Sequence, residues 1–168
     1  FPFMRVRGDV AIVGVSSARA TAPFMASGFF GESQAKRLGK MLDEAGERDR
    51  CRVIVIHHPP VRGAAAAHKR LLGIGRFQKV IRKHGAELVL HGHTHLPTTY
   101  RIDWPDGPVP VVGVAAAGQG PHGSKPPGQY NLLEIERAGH GWRIELSRRG
   151  LSNANSVPHE ITRELVTG

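Results

Sequence analysis

The chain has 168 residues, 40% of them hydrophobic, with 21 Gly and 12 Pro, which suits one domain of modest core and many turns. No apolar run reaches the about 20 residues that span a bilayer, and no segment has the form of a signal peptide, so a membrane partner is not expected. The net charge of +9 admits a nucleic-acid or other polyanionic partner. Its basic residues are scattered, however (Arg5, Arg7, Lys36, Arg37, Lys69, Arg70, Arg82, Lys83, Arg148 and Arg149 among them), and no aromatic stripe for stacking bases accompanies them. Nucleic acid is therefore not the favoured partner.

Phe1 to Arg7 reads as a lead-in segment, and a first residue other than Met reads as a processed or truncated product. Asp9 turns the chain into a strand over Val10 to Ser16, followed by a loop from Ser17 to Gly28. Phe24, Met25, Phe29 and Phe30 either wall a pocket or, the preferred reading, pack beneath that loop. Ala35, Leu38, Met41, Leu42 and Ala45 recur at helical spacing, predicting a helix over Glu32 to Glu44 that stops at Gly46. Cys51 opens the next strand; alone, it allows no internal disulfide and fits a reducing, cytoplasmic setting.

Val53 to Ile56 is an apolar run that ends in His57-His58-Pro59-Pro60. Val61 to His68 follows as a small-residue loop, in which Ala64 to Ala67 can begin a short helix. Arg62 there is either an ordinary loop arginine, as preferred, or a phosphate contact. A second helix is expected over Gly75 to His84, with Phe77, Val80 and Ile81 inward and Gly85 closing it. The strand Leu88 to Leu90 then runs into His91-Gly92-His93-Thr94-His95. Strand, helix, strand, helix, strand is the pattern of an α/β fold.

After this point the pattern changes. Thr98 to Ile102 and Val109 to Val114 flank a Pro/Gly/Asp turn and predict a hairpin. Gly118 to Gly128 reads as an irregular loop, in which His122 and Lys125 can reach a phosphate but need not. Tyr130 to Arg137 and Trp142 to Arg148 alternate apolar and polar residues, as a second antiparallel hairpin does. The expected domain covers residues 1–150, and Leu151 to Gly168 is a polar, fraying tail.

The two apolar runs ending in histidine carry the chemistry. Neutral imidazole is the commonest metal-ligating side chain, and open α/β sheets place their sites at the C-terminal ends of strands. Gly92 removes a side chain just before His93, allowing a tight turn or close approach to an ion. If His91 to His95 were fully extended, His91, His93 and His95 would share one face and could hold a single zinc. That reading stands beside one in which His57 joins the later histidines.

At His57-His58-Pro59 and Gly92-His93-Thr94-His95 the sequence resembles the calcineurin-like metallophosphoesterase superfamily, in particular its cyclic-nucleotide-phosphodiesterase-like and exonuclease-like bacterial members. The resemblance implies an α/β/β/α sandwich and a centre of two divalent ions (Mn, Fe or Zn) acting on a phosphoester substrate. It makes His57 and His93 ligands of one ion and His95 of the other. His58, His91 and Thr94 become substrate-binding residues or supports behind the ligands. The upstream family motifs Asp-x-His, Gly-Asp-x-x-Asp and Gly-Asn-His-Asp/Glu do not occur, and Gly8-Asp9 matches the second only superficially. The resemblance therefore covers the C-terminal half of the family domain. The expectation is a metal-dependent phosphodiesterase or phosphatase portion, inactive alone, whose sheet would be covered by a missing N-terminal half or another chain. A non-catalytic remnant or binding module, and a mononuclear zinc hydrolase using the His91, His93 and His95 trio, are the alternatives.

Overall fold

The computed structural model describes residues 1–121, 124–153 and 156–167, and these divide into two compact units, Phe1–Thr94 with Thr99–Val112 and His95–Thr98 with Gly113–Gly168. In chain order the first runs β1 (Phe3–Arg7), β2 (Val10–Val15), β3 (Gly28–Phe29), α1 (Glu32–Glu47), β4 (Cys51–Ile56), β5 (Leu71–Leu72), α2 (Ile74–His84), β6 (Leu88–His91), β7 (Thr99–Ile102) and β8 (Val109–Gly113). Six of these strands form one sheet in the order β1-β2-β4-β6-β8-β7, while β3 and β5 make a short parallel ladder of their own. The architecture is mixed α/β.

β-Branched residues fill the central strands, where a stiff side chain packs well on the pleated surface. β4 runs parallel to both neighbours, Val15↔Ile56↔His91 forming the last cross-strand row. Val13, Ile54 and Val89 share one face, packed with Leu38 and Leu42 of α1 and Phe77 and Ile81 of α2. The helices lie close because Gly39 has no side chain: a Cβ there would sit 2.7 Å from His84 Nε2. His84 Nδ1 also meets Asp43 Oδ1 at 2.7 Å, tying α2 to α1. On the opposite sheet face Phe3 and Val55 are 47% and 41% exposed. The Phe3 ring occupies the space that a Cβ on Gly14 would take.

At the N-terminal end of β4, Arg52 binds the Glu87 carboxylate and donates to the His84 carbonyl at 2.8 Å, with Trp104 stacked 5.3 Å from the guanidinium. The adjacent Cys51 thiol is fully buried, and burial, aided by the Glu87 charge, pushes its pKa up to about 12. Such a thiol is inert.

The second unit contains a three-stranded antiparallel sheet, β9 (Gln129–Ala138), β10 (Gly141–Gly150) and β11 (His159–Thr167), with β10 central. Ile144, Leu146 and Val166 are its buried apolar residues. Arg148 is buried as well and donates to the Gly113 and Thr98 carbonyls at 2.8 and 3.3 Å.

Several expectations are corrected. The lead-in segment forms strand β1, and the fraying tail contains strand β11, which pairs along β10. Helix α1 passes Gly46 and ends at Glu47; the left-handed residue is Asp49, at φ 51°. The alanine run yields only a 3₁₀ turn at Ala67–Lys69. Phe30 is core, in edge contact with Phe77 at 5.3 Å, whereas Phe24 is fully exposed, so these aromatics neither line one pocket nor pack as a group. His122 lies outside the described residues, and Lys125 belongs to the second unit. No helix among the described residues is long and apolar enough to cross a membrane.

Candidate functional site

Parallel strands β4 and β6 end side by side, and the Gly92 N–H extends their pairing by donating to the His57 carbonyl at 3.1 Å. The two histidines that close β4 then diverge. His57 is exposed, whereas His58 is 7% exposed and fully engaged. Its Nε2 donates to the Ala26 carbonyl at 3.0 Å, which leaves Nδ1 to accept from the Ser17 hydroxyl at 2.8 Å. Gly28 makes room for the ring, since a Cβ there would lie 2.5 Å from His58 Nδ1. With both nitrogens committed, His58 fastens the Ser17–Ala26 loop to the end of β4. Pro59 and Pro60 are buried behind it, and Pro60 accepts from Gln78 at 3.0 Å.

Past β6 the chain turns sharply. Thr94 N–H donates to the Gly92 carbonyl at 2.7 Å, and His93 has a left-handed backbone with φ 65°. Left-handed φ costs a non-glycine residue about 1 kcal/mol or more, and such conformations collect at functional sites. Here it aims the His93 ring back at β4: Nδ1 stands 3.2 Å from His57 Nε2, and the ring centroids are 5.0 Å apart. The His58 ring is also near, at 4.1 Å. His93 Nε2 is buried with no hydrogen-bond partner among the described residues. Burial first, then the charges His58 and His57 would carry, lowers the His93 pKa from 6.5 to about 4; a weaker backbone interaction with Lys69 pulls the other way. The ring is neutral at pH 7.

No ring contact joins His91 or His95 to His57 or His93 among the described residues. His91, 4% exposed, stays within β6, its Nδ1 donating to the Gly92 carbonyl at 3.1 Å and its ring stacked 6.3 Å from Tyr100. His95 is exposed, has φ 57°, and belongs to the second unit. Because His93 and His95 are both left-handed, the alternation that would place His91, His93 and His95 on one face does not hold. Sequence reading did not find Ser17, Gly28 or Lys69 as neighbours of the imidazoles. Ser17 is 41 positions from His58, with no local signal to connect them.

The fit to a metal can be tested on distances. Two imidazole nitrogens on one tetrahedral ion, each about 2.0–2.1 Å from it, stand about 3.3 Å apart. The observed 3.2 Å therefore suits His57 and His93 as two ligands of one ion, and equally a ring-to-ring hydrogen bond. Among the described residues no group of three or more His, Cys, Asp or Glu side chains is arranged to hold an ion.

No family model matches the chain, and no curated protein matches it in sequence. Among solved structures it is similar to a dimetal phosphatase from Danio rerio, at 19% identity and a TM-score of 0.46, over 80% of this chain and 39% of that one. It is also similar to Vps29 from Entamoeba histolytica, solved in complex with Zn²⁺, at 11% identity and a TM-score of 0.38, over 92% and 98% of the two chains. The chain thus spans about two fifths of the length of the phosphatase. On its own geometry, the site brings two imidazoles together at one sheet end, beside a buried third histidine whose two ring nitrogens are engaged by Ser17 and Ala26.

Proposed function

We propose that this chain is the late-motif portion of a metal-dependent phosphoester hydrolase, a phosphodiesterase or phosphatase, contributing ligands and little activity alone. The observation that supports it is the 3.2 Å approach of His57 Nε2 and His93 Nδ1 at the ends of parallel neighbours β4 and β6. It joins the two motifs on which the family resemblance rests. A bound divalent ion would polarise a phosphoryl oxygen and lower the pKa of its water. The chain's own part is to hold His93 neutral, keep His57 accessible, and fix both through His58 and Gly92. His95 is assigned to the second ion by resemblance. The carboxylate and Asn ligands would come from an N-terminal half or another chain, for which the exposed Phe3 and Val55 offer an apolar seat.

A non-catalytic binding module is the second reading, favoured by the missing third donor among the described residues. The mononuclear trio loses its premise with the left-handed backbone at His93 and His95.

The test is Mn²⁺ and Zn²⁺ titration followed by calorimetry, with hydrolysis of bis(4-nitrophenyl) phosphate assayed alongside. His57→Ala and His93→Ala should each weaken metal binding at least tenfold, and His91→Ala should leave it unchanged. Metal affinity indifferent to His57 and His93 would sink the proposal. A dependence on His91 equal to theirs would restore the trio.

A further inference from the structure

We infer that the cleft between Val61 and Gly75 is a binding site for a small phosphate monoester with an apolar body, gripped by Arg62 and Arg70. This does not rest on the hydrolase reading, because neither arginine belongs to the imidazole site. The cleft has a volume of about 430 Å³ and is lined by Val61, Leu72 and Ile74 as well as the two arginines. That size falls within the range of small-molecule pockets, roughly 300–1,000 Å³, whose usual make-up is apolar walls with a few polar anchors.

Charge selects the ligand. Arg52, Arg76, Arg143, Arg148 and Arg163 each face a carboxylate. Among the described residues, Arg62 and Arg70 form no ion pair, and no acidic residue lines the cleft. Two guanidinium groups on an acid-free cleft match a dianion, and a phosphate monoester carries nearly two charges at pH 7. Arg62 bends over the floor: its Nη2 lies 3.7 Å from where a Cβ on Gly75 would be.

The wall is also held in shape before any ligand arrives. Ala26, Gly28 and Phe30 N–H groups donate to the His68, Arg70 and Leu72 carbonyls at 2.9, 3.1 and 2.8 Å. Arg76 secures the same edge through the Phe30 carbonyl at 2.7 Å. Arg70 thus sits on a hydrogen-bonded ladder, with Leu71 beside it buried at 1% exposure. Preorganisation of this kind lowers the ordering cost of binding.

The experiment titrates phenyl phosphate into the full chain in EDTA, followed by ¹H–¹⁵N NMR, with benzyl alcohol as the uncharged comparison. Saturable one-to-one binding of phenyl phosphate is expected, with shifts centred on Arg62 to Gly75. The double variant Arg62→Gln/Arg70→Gln, which removes both charges at exposed positions and keeps polar side chains there, should weaken it at least tenfold. The double variant His57→Ala/His93→Ala should bind within twofold of the parent. No saturation, equal binding of benzyl alcohol, or unchanged affinity in the glutamine variant overturns the inference. Loss of binding in the alanine variant overturns it too, by moving the phosphate to the imidazoles.

Discussion

The two ends of the β4–β6 pair are built to opposite specifications. At the N-terminal end all three guanidinium nitrogens of Arg52 have acceptors, two on Glu87 and one on the His84 carbonyl, and Trp104 covers the group. At the C-terminal end His57 is exposed, His93 keeps an unpartnered buried Nε2, and its backbone is left-handed. One end satisfies its polar atoms within the fold. The other sets two imidazoles 3.2 Å apart, with His93 Nε2 buried and without a hydrogen-bond partner among the described residues. The anchored end and the proposed binding end are thus separated by the length of two short strands.

The sharpest way to break this comparison is at the saturated end. Arg52→Ala leaves the Glu87 carboxylate, 15% exposed, without its partner and takes a cation from Trp104. Breaking a buried pair in this way costs about 3–5 kcal/mol, reduced here to about 2–4 kcal/mol because water reaches both groups in part. Urea denaturation monitored by Trp fluorescence measures it. A loss below about 1 kcal/mol would show that this end is no anchor.

A smaller effect is expected behind the imidazoles. Ser17→Ala removes the hydroxyl that donates to His58 Nδ1 and accepts from its backbone N–H at 3.4 Å. Leaving a buried ring nitrogen unsatisfied costs about 1–3 kcal/mol. The substitution should also loosen the Ser17–Ala26 loop, raising amide exchange at Ala26 and Gly28 while leaving β4 protected. Unchanged exchange there would mean His58 does not fasten the loop.

How much of this was readable follows from how far each cause acts along the chain. Helix α2 was legible to within a residue, since Phe77, Val80 and Ile81 mark one face and Gly85, at φ 73°, ends it. The two strands ending in histidine were legible from their apolar runs, and parallel pairing follows from the helix between them. Strand β11 was not: only Val166 is buried along it, so an edge strand looks like a polar tail. The Arg52–Glu87 anchor and the Ser17–His58 bond span 35 and 41 positions, and pairwise contacts of that range leave no periodicity. The left-handed turns at His93 and His95 escaped because that conformation is expected of glycine, and Gly92 drew the expectation to itself.

The finest test of the open end is protonation of the metal-free protein. His93 titrates near pH 4 because burial and the neighbouring His58 and His57 oppose its positive form. The unfolded chain would take up that proton near pH 6.5. Between those values the unfolded state binds more protons than the folded one, so stability falls as pH drops from about 6.5 towards 4 and levels off below. The ring is only partly buried, which keeps the slope shallow. A ¹H–¹³C titration of the His93 ring should place its midpoint near 4 in the parent. In His57→Ala, one opposing charge is gone and the midpoint should move upward. A parent midpoint near 6.5 would show that the three rings do not gather in solution, and the contrast between the two strand ends would lose its chemical basis.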